Sequence, residues 1–320
     1  MTAHPLAHFS LLTSHFSLLT PYSSPTDAEA PQPRYWRQPR RAALDWRRTL
    51  LDGWVVGFWV FPLLGLVAGL MAGLLGIGGG LILMGALVWM LPSLGIPQAQ
   101  VMHVALASAM ASIVATGISS SLAHHRRGSV LWPTVGWMIP GLLLGGWLGS
   151  GLAVLLDEQV LRWVVAVYCV LAAIQLQFGK VRPRPVDGAE PVPRGWPMSV
   201  AGTAIGVLSA VVGIGGGSMT VPLLVWRGVL PVRAVGSSSA AGVVVAVASA
   251  AGFVLHAPQD LQLPHSVGYI YLPAAIGVSV ASMFAAPWGT RLAHRLSPRA
   301  LRAVFACFMV VIGTSLVLGR

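Results

Sequence analysis

The sequence predicts an all-α polytopic membrane protein, built as two inverted repeats whose hydrophobic helices are broken by glycine. Three observations carry this. The first is composition: 9% of the 320 residues are charged and 55% are hydrophobic, with a mean hydropathy of +0.75, against about 25% charge in a soluble domain. No Asp, Glu, Lys or Arg occurs in Gly53–His125, Gly128–Leu156, Trp163–Gly179, Gly195–Trp226, Ala234–Gln259 or Leu261–Thr290. A spanning helix needs about 20 mostly apolar residues, and several of these stretches supply them. The second is a pair of glycine clusters inside apolar runs, GLLGIGGGLILMGAL at Gly73–Leu87 and SAVVGIGGGSMTVPL at Ser209–Leu223. The third is that the clusters are copies. Gly69, Gly73, Gly76, Ile77, Gly78, Gly79 and Gly80 map onto Gly206, Ala210, Gly213, Ile214, Gly215, Gly216 and Gly217 at a constant spacing of 137.

Taken in order, residues 1–52 read as a disordered N-terminal arm, with HFSLLT repeated at His8–Thr13 and His15–Thr20 before a Pro- and Arg-rich piece. Its apolar stretches are too short for a signal-peptide core with a cleavage site. The first repeat, 53–179, holds apolar segments at about 54–75, 81–95, 101–123, 131–156 and 160–178. The Pro- and charge-rich residues 180–197 read as a cytoplasmic linker. The second repeat, 198–320, holds segments at about 198–213, 218–232, 236–256, 268–290 and 301–319. Further copies support the duplication: ASAMAS at Ala107–Ser112 matches GSSSAA at Gly236–Ala241, and LRWVVAVYCVL at Leu161–Leu171 matches LRAVFACFMVV at Leu301–Val311.

The loops give the relative orientation. His124–Gly128 is basic, whereas its counterpart His256–Ser266 has no Lys or Arg. Asp157–Arg162 opens with two acids, whereas its counterpart Arg291–Arg302 is strongly basic. Equivalent loops with swapped charge bias are what the positive-inside rule gives when the halves are inverted, a common transporter plan. The basic arm favours an N-terminus inside, and strict inversion puts it outside. Either the later loops overrule the arm, or the first two segments together cross once, which leaves eight to ten segments.

Several chemistries are excluded. The +11 net charge sits in short loops between spans, as cytoplasmic loops do, and does not indicate nucleic acid. GIGGG lacks the downstream acid of a dinucleotide fingerprint, since the next carboxylate after Gly80 is Asp157, and it lacks the Lys-Ser/Thr of a P-loop. Cys169 and Cys307 lie singly in apolar segments and read as packing residues, so no metal and no cofactor is expected. With no nucleophile, base or metal cluster in a span, the chain is not read as an enzyme. His103 opens the third segment and reads as interfacial. Gly65, Gly69 and Gly73 suit a small-xxx-small helix contact.

The consecutive glycines ask for more. Broken backbone is tolerated in lipid only where protein buries it or it lines a cavity. A break frees N–H groups at the next helix start, which with the helix dipole favour an anion. The candidate substrate-binding residues are therefore Gly78, Gly79 and Gly80 with Gly215, Gly216 and Gly217, joined by Ser108 and Ser112 in the third segment and Ser237 and Ser238 in the eighth. The spans hold no Asp, Glu or Lys to serve a cation.

The two GxGGG segments, HVALASAMASIVATGISSSLAHHRRGSV (His103–Val130), AVGSSSAAG (Ala234–Gly242) and YIYLPAAIGVSVASMFAAPWGTRLAHRL (Tyr269–Leu296) resemble the sulfite exporter TauE/SafE family, also called the toluene sulfonate uptake permease family. The resemblance covers about Val55 to Gly319. It implies a permease in a bacterial inner membrane that moves sulfite, sulfonates or related organosulfur anions, with the lipid bilayer and a small anion as its partners. The chain has Ala107-Ser108-Ala109 and Gly236-Ser237-Ser238 where members usually show Ala-Thr-Ser and Gly-Thr-Ser, so Ala109 lacks a hydroxyl of the family pattern. A passive anion channel or a structural membrane subunit is the alternative to alternating access.

Overall fold

The computed structural model describes residues 59–74, 79–178, 192–293, 306–307 and 309–316. The expected arm, Gly78, residues 180–191 of the expected linker, most of the basic Arg291–Arg302 loop and the C-terminal Arg320 lie outside the described residues.

The described chain is mostly helical. In order it forms α1 (Trp59–Leu74), α2 (Gly80–Met90), α3 (Val101–His125), α4 (Trp132–Leu155), α5 (Glu158–Phe178), α6 (Trp196–Val212), α7 (Gly217–Trp226), α8 (Pro231–Leu255) and α9 (Leu272–Ala293), with residues 309–316 as α10. Five of these, α3, α4, α5, α8 and α9, are long and apolar enough to cross a membrane. The chain is a polytopic membrane protein. The two helices that follow the glycine clusters have 11 and 10 residues. At about 1.5 Å per residue each reaches only about half of a ~30 Å hydrocarbon core.

Most helix limits follow the expected segments, and three differ: the seventh, expected to 232, ends at Trp226 before left-handed Gly228, and two more differ at their starts. The eighth segment starts at Pro231, five residues before the expected 236, because Pro231 sits at N1 of α8, where its missing N–H costs nothing. The ninth, expected from 268, is preceded by a two-stranded hairpin, β1 (Ser266–Val267) and β2 (Ile270–Tyr271). Ser266 pairs with Tyr271, and left-handed Gly268 turns the chain.

Glycine stripes set how the helices meet. On α4, Gly141, Leu142, Gly145, Gly146, Gly149 and Ser150 are buried, while Leu143, Leu144, Trp147, Leu148 and Leu152 are exposed. The exposed stripe is the surface a lipid-facing helix presents. The buried stripe lies on α6: a β-carbon at Gly145 or Gly149 would collide with backbone of Thr203 or Val207, and one at Gly202 would stand 2.8 Å from the Met138 carbonyl. α1 meets α9 in the same way. A β-carbon at Gly65 would stand 2.6 Å from the Val278 carbonyl, and one at Gly69 2.6 Å from that of Ser282. Gly65 and Gly202 are equivalent in the two repeats at a spacing of 137, and so are Val278 and Met138 at 140. Each half therefore packs its first helix on the fourth helix of the other half. This is close backbone approach through small residues, as the stripe at Gly65, Gly69 and Gly73 suggests. Between these pairs, α3 packs on both α8 and α9, and α8 on α4.

Candidate functional site

Both glycine clusters break the helix. α1 is described as far as Leu74, and α2 starts at Gly80, whose N-cap Gly79 is left-handed at φ 67°. α6 ends at Val212 and α7 starts at Gly217, whose N-cap Gly216 is left-handed at φ 72°. Left-handed backbone costs a residue with a β-carbon roughly 1–2 kcal/mol, which is why glycine stands at both. Neither helix start has a side-chain cap; the first N–H groups of a helix have no partner further along it, although the Met219 N–H donates back to the Gly216 carbonyl at 3.2 Å.

The breaks meet in the core. A β-carbon at Gly80 would come within 2.5 Å of the Gly213 carbonyl oxygen and would overlap Ile113 of α3. On the other side, one at Gly242 of α8 would overlap the Gly215 carbonyl oxygen. Gly79, Gly80 and residues 213–218 are all buried. Of the six candidate glycines, Gly79, Gly80, Gly215, Gly216 and Gly217 thus lie in the joined core of the two breaks, while Gly78 is outside the described residues.

The candidate serines are engaged elsewhere in the packing. The Tyr271 N–H donates to Ser108 Oγ at 2.9 Å, and the Leu131 N–H donates to Ser237 Oγ at 2.8 Å. Tyr271 precedes α9 and Leu131 precedes α4, so the two bonds are repeat equivalents. Each serine holds the start of a helix from the opposite half, the partner groups being 163 and 106 residues away. Ser112 Oγ donates to the Ser108 carbonyl at 2.9 Å and Ser238 Oγ to the Val235 carbonyl at 2.8 Å, as membrane serines do toward the preceding turn.

Two groups of residues escape the sequence reading. Three polar residues gather at the second break: Ser209 Oγ and Thr220 Oγ1 stand 3.3 and 3.8 Å from where a Gly216 β-carbon would be, and Ser218 Oγ bonds to the Tyr168 hydroxyl of α5. The signal was present in the repeat alignment, because the equivalents of Ser209, Ser218 and Thr220 are Ala72, Leu81 and Leu83, and that of Tyr168 is Phe308. The other group is a charged anchor. Glu158 Oε2 accepts the Met102 N–H at 2.8 Å near the start of α3, and Oε1 accepts Arg162 Nη2 at 3.0 Å. His103 Nε2 donates to the Leu156 carbonyl at 3.1 Å, its Nδ1 lies 3.8 Å from Glu158, and its ring stacks on Tyr269. No sequence spacing links Met102 to Glu158; only the return of α4 brings them together. Among the described residues no group of His, Cys, Asp or Glu is arranged to hold a metal.

An open cleft of about 320 Å³ lies elsewhere, between α3, α4 and α8, lined by Ile118, Leu122, Trp132, Val135, Ile139 and Val243. Its wall is almost entirely apolar, so it offers an anion little.

The profile described as "Sulfite exporter TauE/SafE" matches residues 61–316. The chain belongs to this family. A TauE/SafE-type chain is a membrane transporter, and its curated relatives carry that description. A "probable membrane transporter protein" of Haemophilus influenzae is 32% identical over 257 residues, covering 80% of this chain and 96% of the relative. Proteins of like description from Methanocaldococcus jannaschii and Bacillus subtilis are 24% and 22% identical, covering 81% and 82% of this chain and 96% and 98% of theirs. No solved structure gives a significant match. The TauE/SafE match spans both breaks and every candidate serine.

Proposed function

We propose that this TauE/SafE chain carries a small anion, most simply sulfite, a sulfonate or a related organosulfur anion, across a bacterial inner membrane by alternating access. The site is the junction of the two breaks, framed by Gly78–Gly80 and Gly215–Gly217, with Ser108, Ser112, Ser237 and Ser238 in the helices that hold it. The observation that carries this reading is the approach of Gly80, at the start of α2, to Gly213, the C-cap of α6, with both uncapped helix starts buried. Backbone N–H groups and positive dipole ends favour an anion there.

The repeats 53–179 and 198–320 are proposed to be inverted. Support comes from the reciprocal bonds, Ser108 to Tyr271 and Ser237 to Leu131, and from the reciprocal packing of first on fourth helices. An exchange of this kind is what a twofold-related pair of halves produces. Burial of both breaks favours a carrier over a standing pore, since an anion reaches the junction only when the halves move. The test is flux by the purified chain in liposomes against sulfite, sulfate, thiosulfate, taurine and sulfoacetate. Saturating, slow uptake of one or more sulfur anions is expected; flux of none overturns the reading.

A further inference from the structure

Both breaks turn on a left-handed glycine before a short helix, and the side chains around them differ in polarity. At the second, the buried hydroxyls of Ser209 and Thr220 are 1% and 0% exposed and have no hydrogen-bond partner. Both oxygens lie on the face of Gly216 where a β-carbon would project. A buried hydroxyl with no partner costs on the order of 1–3 kcal/mol, and two at one turn are not explained by packing. Ser218, the second residue of α7, bonds to the Tyr168 hydroxyl of α5. At the first break the equivalents are Ala72, Leu81 and Leu83, all buried and apolar, and α3 presses Ile113 against Gly80. An oxyanion turned toward that wall would lose its hydration with no return.

We infer that the anion is bound one-sidedly, at the second break: the Ser209 and Thr220 hydroxyls and the N–H groups opening α7 hold its oxygens, and α2, with Leu81 and Leu83 at the equivalent positions, offers no hydroxyl. The hydroxyls close on Gly216 in this conformation, so loading requires α7 to part from α6 about left-handed Gly213 and Gly216, the two points in that link free to absorb a large backbone change. Net binding strength then sits in the second half, although the helix breaks themselves are duplicated. The assignment rests on the transport reading above.

The experiment uses the full chain in liposomes with sulfite, thiosulfate and methanesulfonate as probes, each variant first checked for a single sharp gel-filtration peak in detergent. Ser209→Ala and Thr220→Val are expected to raise the half-saturating concentration about tenfold or more, the order set by a lost bond to a charged group, while Thr220→Ser stays within about threefold because its oxygen remains. As a second variant, Ser209→Cys should be alkylated by N-ethylmaleimide more slowly when methanesulfonate is present. Wild-type half-saturation in both deletion variants, or alkylation that no probe slows, overturns the one-sided site and leaves the transport reading standing. Absence of flux for every probe in the wild type overturns both.

Discussion

The first and second breaks are alike at the start of the helix that follows and opposite in chemistry. Each turns on a left-handed glycine and starts a half-length helix without a side-chain cap. Around Gly79 the chain is tight and apolar, and a β-carbon there would run into the backbone of Ala68. Around Gly216 a β-carbon would meet only side-chain atoms, the nearest at 3.3 Å, and two of the neighbouring groups are hydroxyls without partners. The difference teaches that duplication repeats the turn while substitution decides which side chains each copy presents. A second contrast runs the other way: the charged anchor at Glu158 belongs to the first half, and its equivalent in the second is Pro298.

The largest effect should come from the tighter break. Gly79→Ala adds the left-handed penalty to a clash with fixed backbone, for about 3 kcal/mol or more of lost stability, whereas Gly216→Ala should lose only about 1–2 kcal/mol. Thermal unfolding in detergent reads both, and equal losses would break the comparison. Replacing either glycine with leucine should abolish flux with the chain still inserted; near-wild-type flux in both leucine variants would remove the site from the breaks.

Next in size is Glu158→Gln. It takes the charge from Arg162 and weakens the hold on the Met102 N–H, a mostly buried pair whose disruption costs about 3 kcal/mol. The loss should appear as a lower unfolding temperature; no change would mean that the anchor is ornamental to the fold.

The smallest effects sharpen the symmetry. Ser108→Ala and Ser237→Ala each leave a buried N–H without its acceptor, for about 1–3 kcal/mol. Because the two bonds are equivalent, the losses should agree within about 0.5 kcal/mol, the margin to which independent sites usually add. A large inequality would argue that one serine has a role beyond holding a helix start.

Much of this was legible in the sequence, and the unreadable part has a common cause. The 137-residue repeat, both breaks and nearly all helix limits follow from apolar length and glycine placement. The use of Ser108 and Ser237 did not, because their partners Tyr271 and Leu131 come from the other half and no periodicity records a crossing between halves. Glu158 looked like a loop acid because its partner Met102 stands 56 residues away in the same half and only the return of α4 brings the two together. Ser209 and Thr220 are different: the repeat already sets them against Ala72 and Leu83, so their sign lies in where the repeats diverge and not in what they share. The hairpin at Ser266–Tyr271 was missed because strands of two residues carry no alternation to read.

The central claim is that an anion sits where the two breaks meet, on the side of α7. Anomalous scattering from crystals of the full chain grown with selenite, a heavier analogue of sulfite, tests it most directly. The account predicts a selenium peak within about 4 Å of both Ser209 Oγ and Thr220 Oγ1, the reach of a hydrogen-bonded oxyanion whose oxygens contact donors at ~2.7–3.2 Å. A peak confined to the apolar wall at Leu81 and Leu83, or to the cleft between α3, α4 and α8, would contradict it.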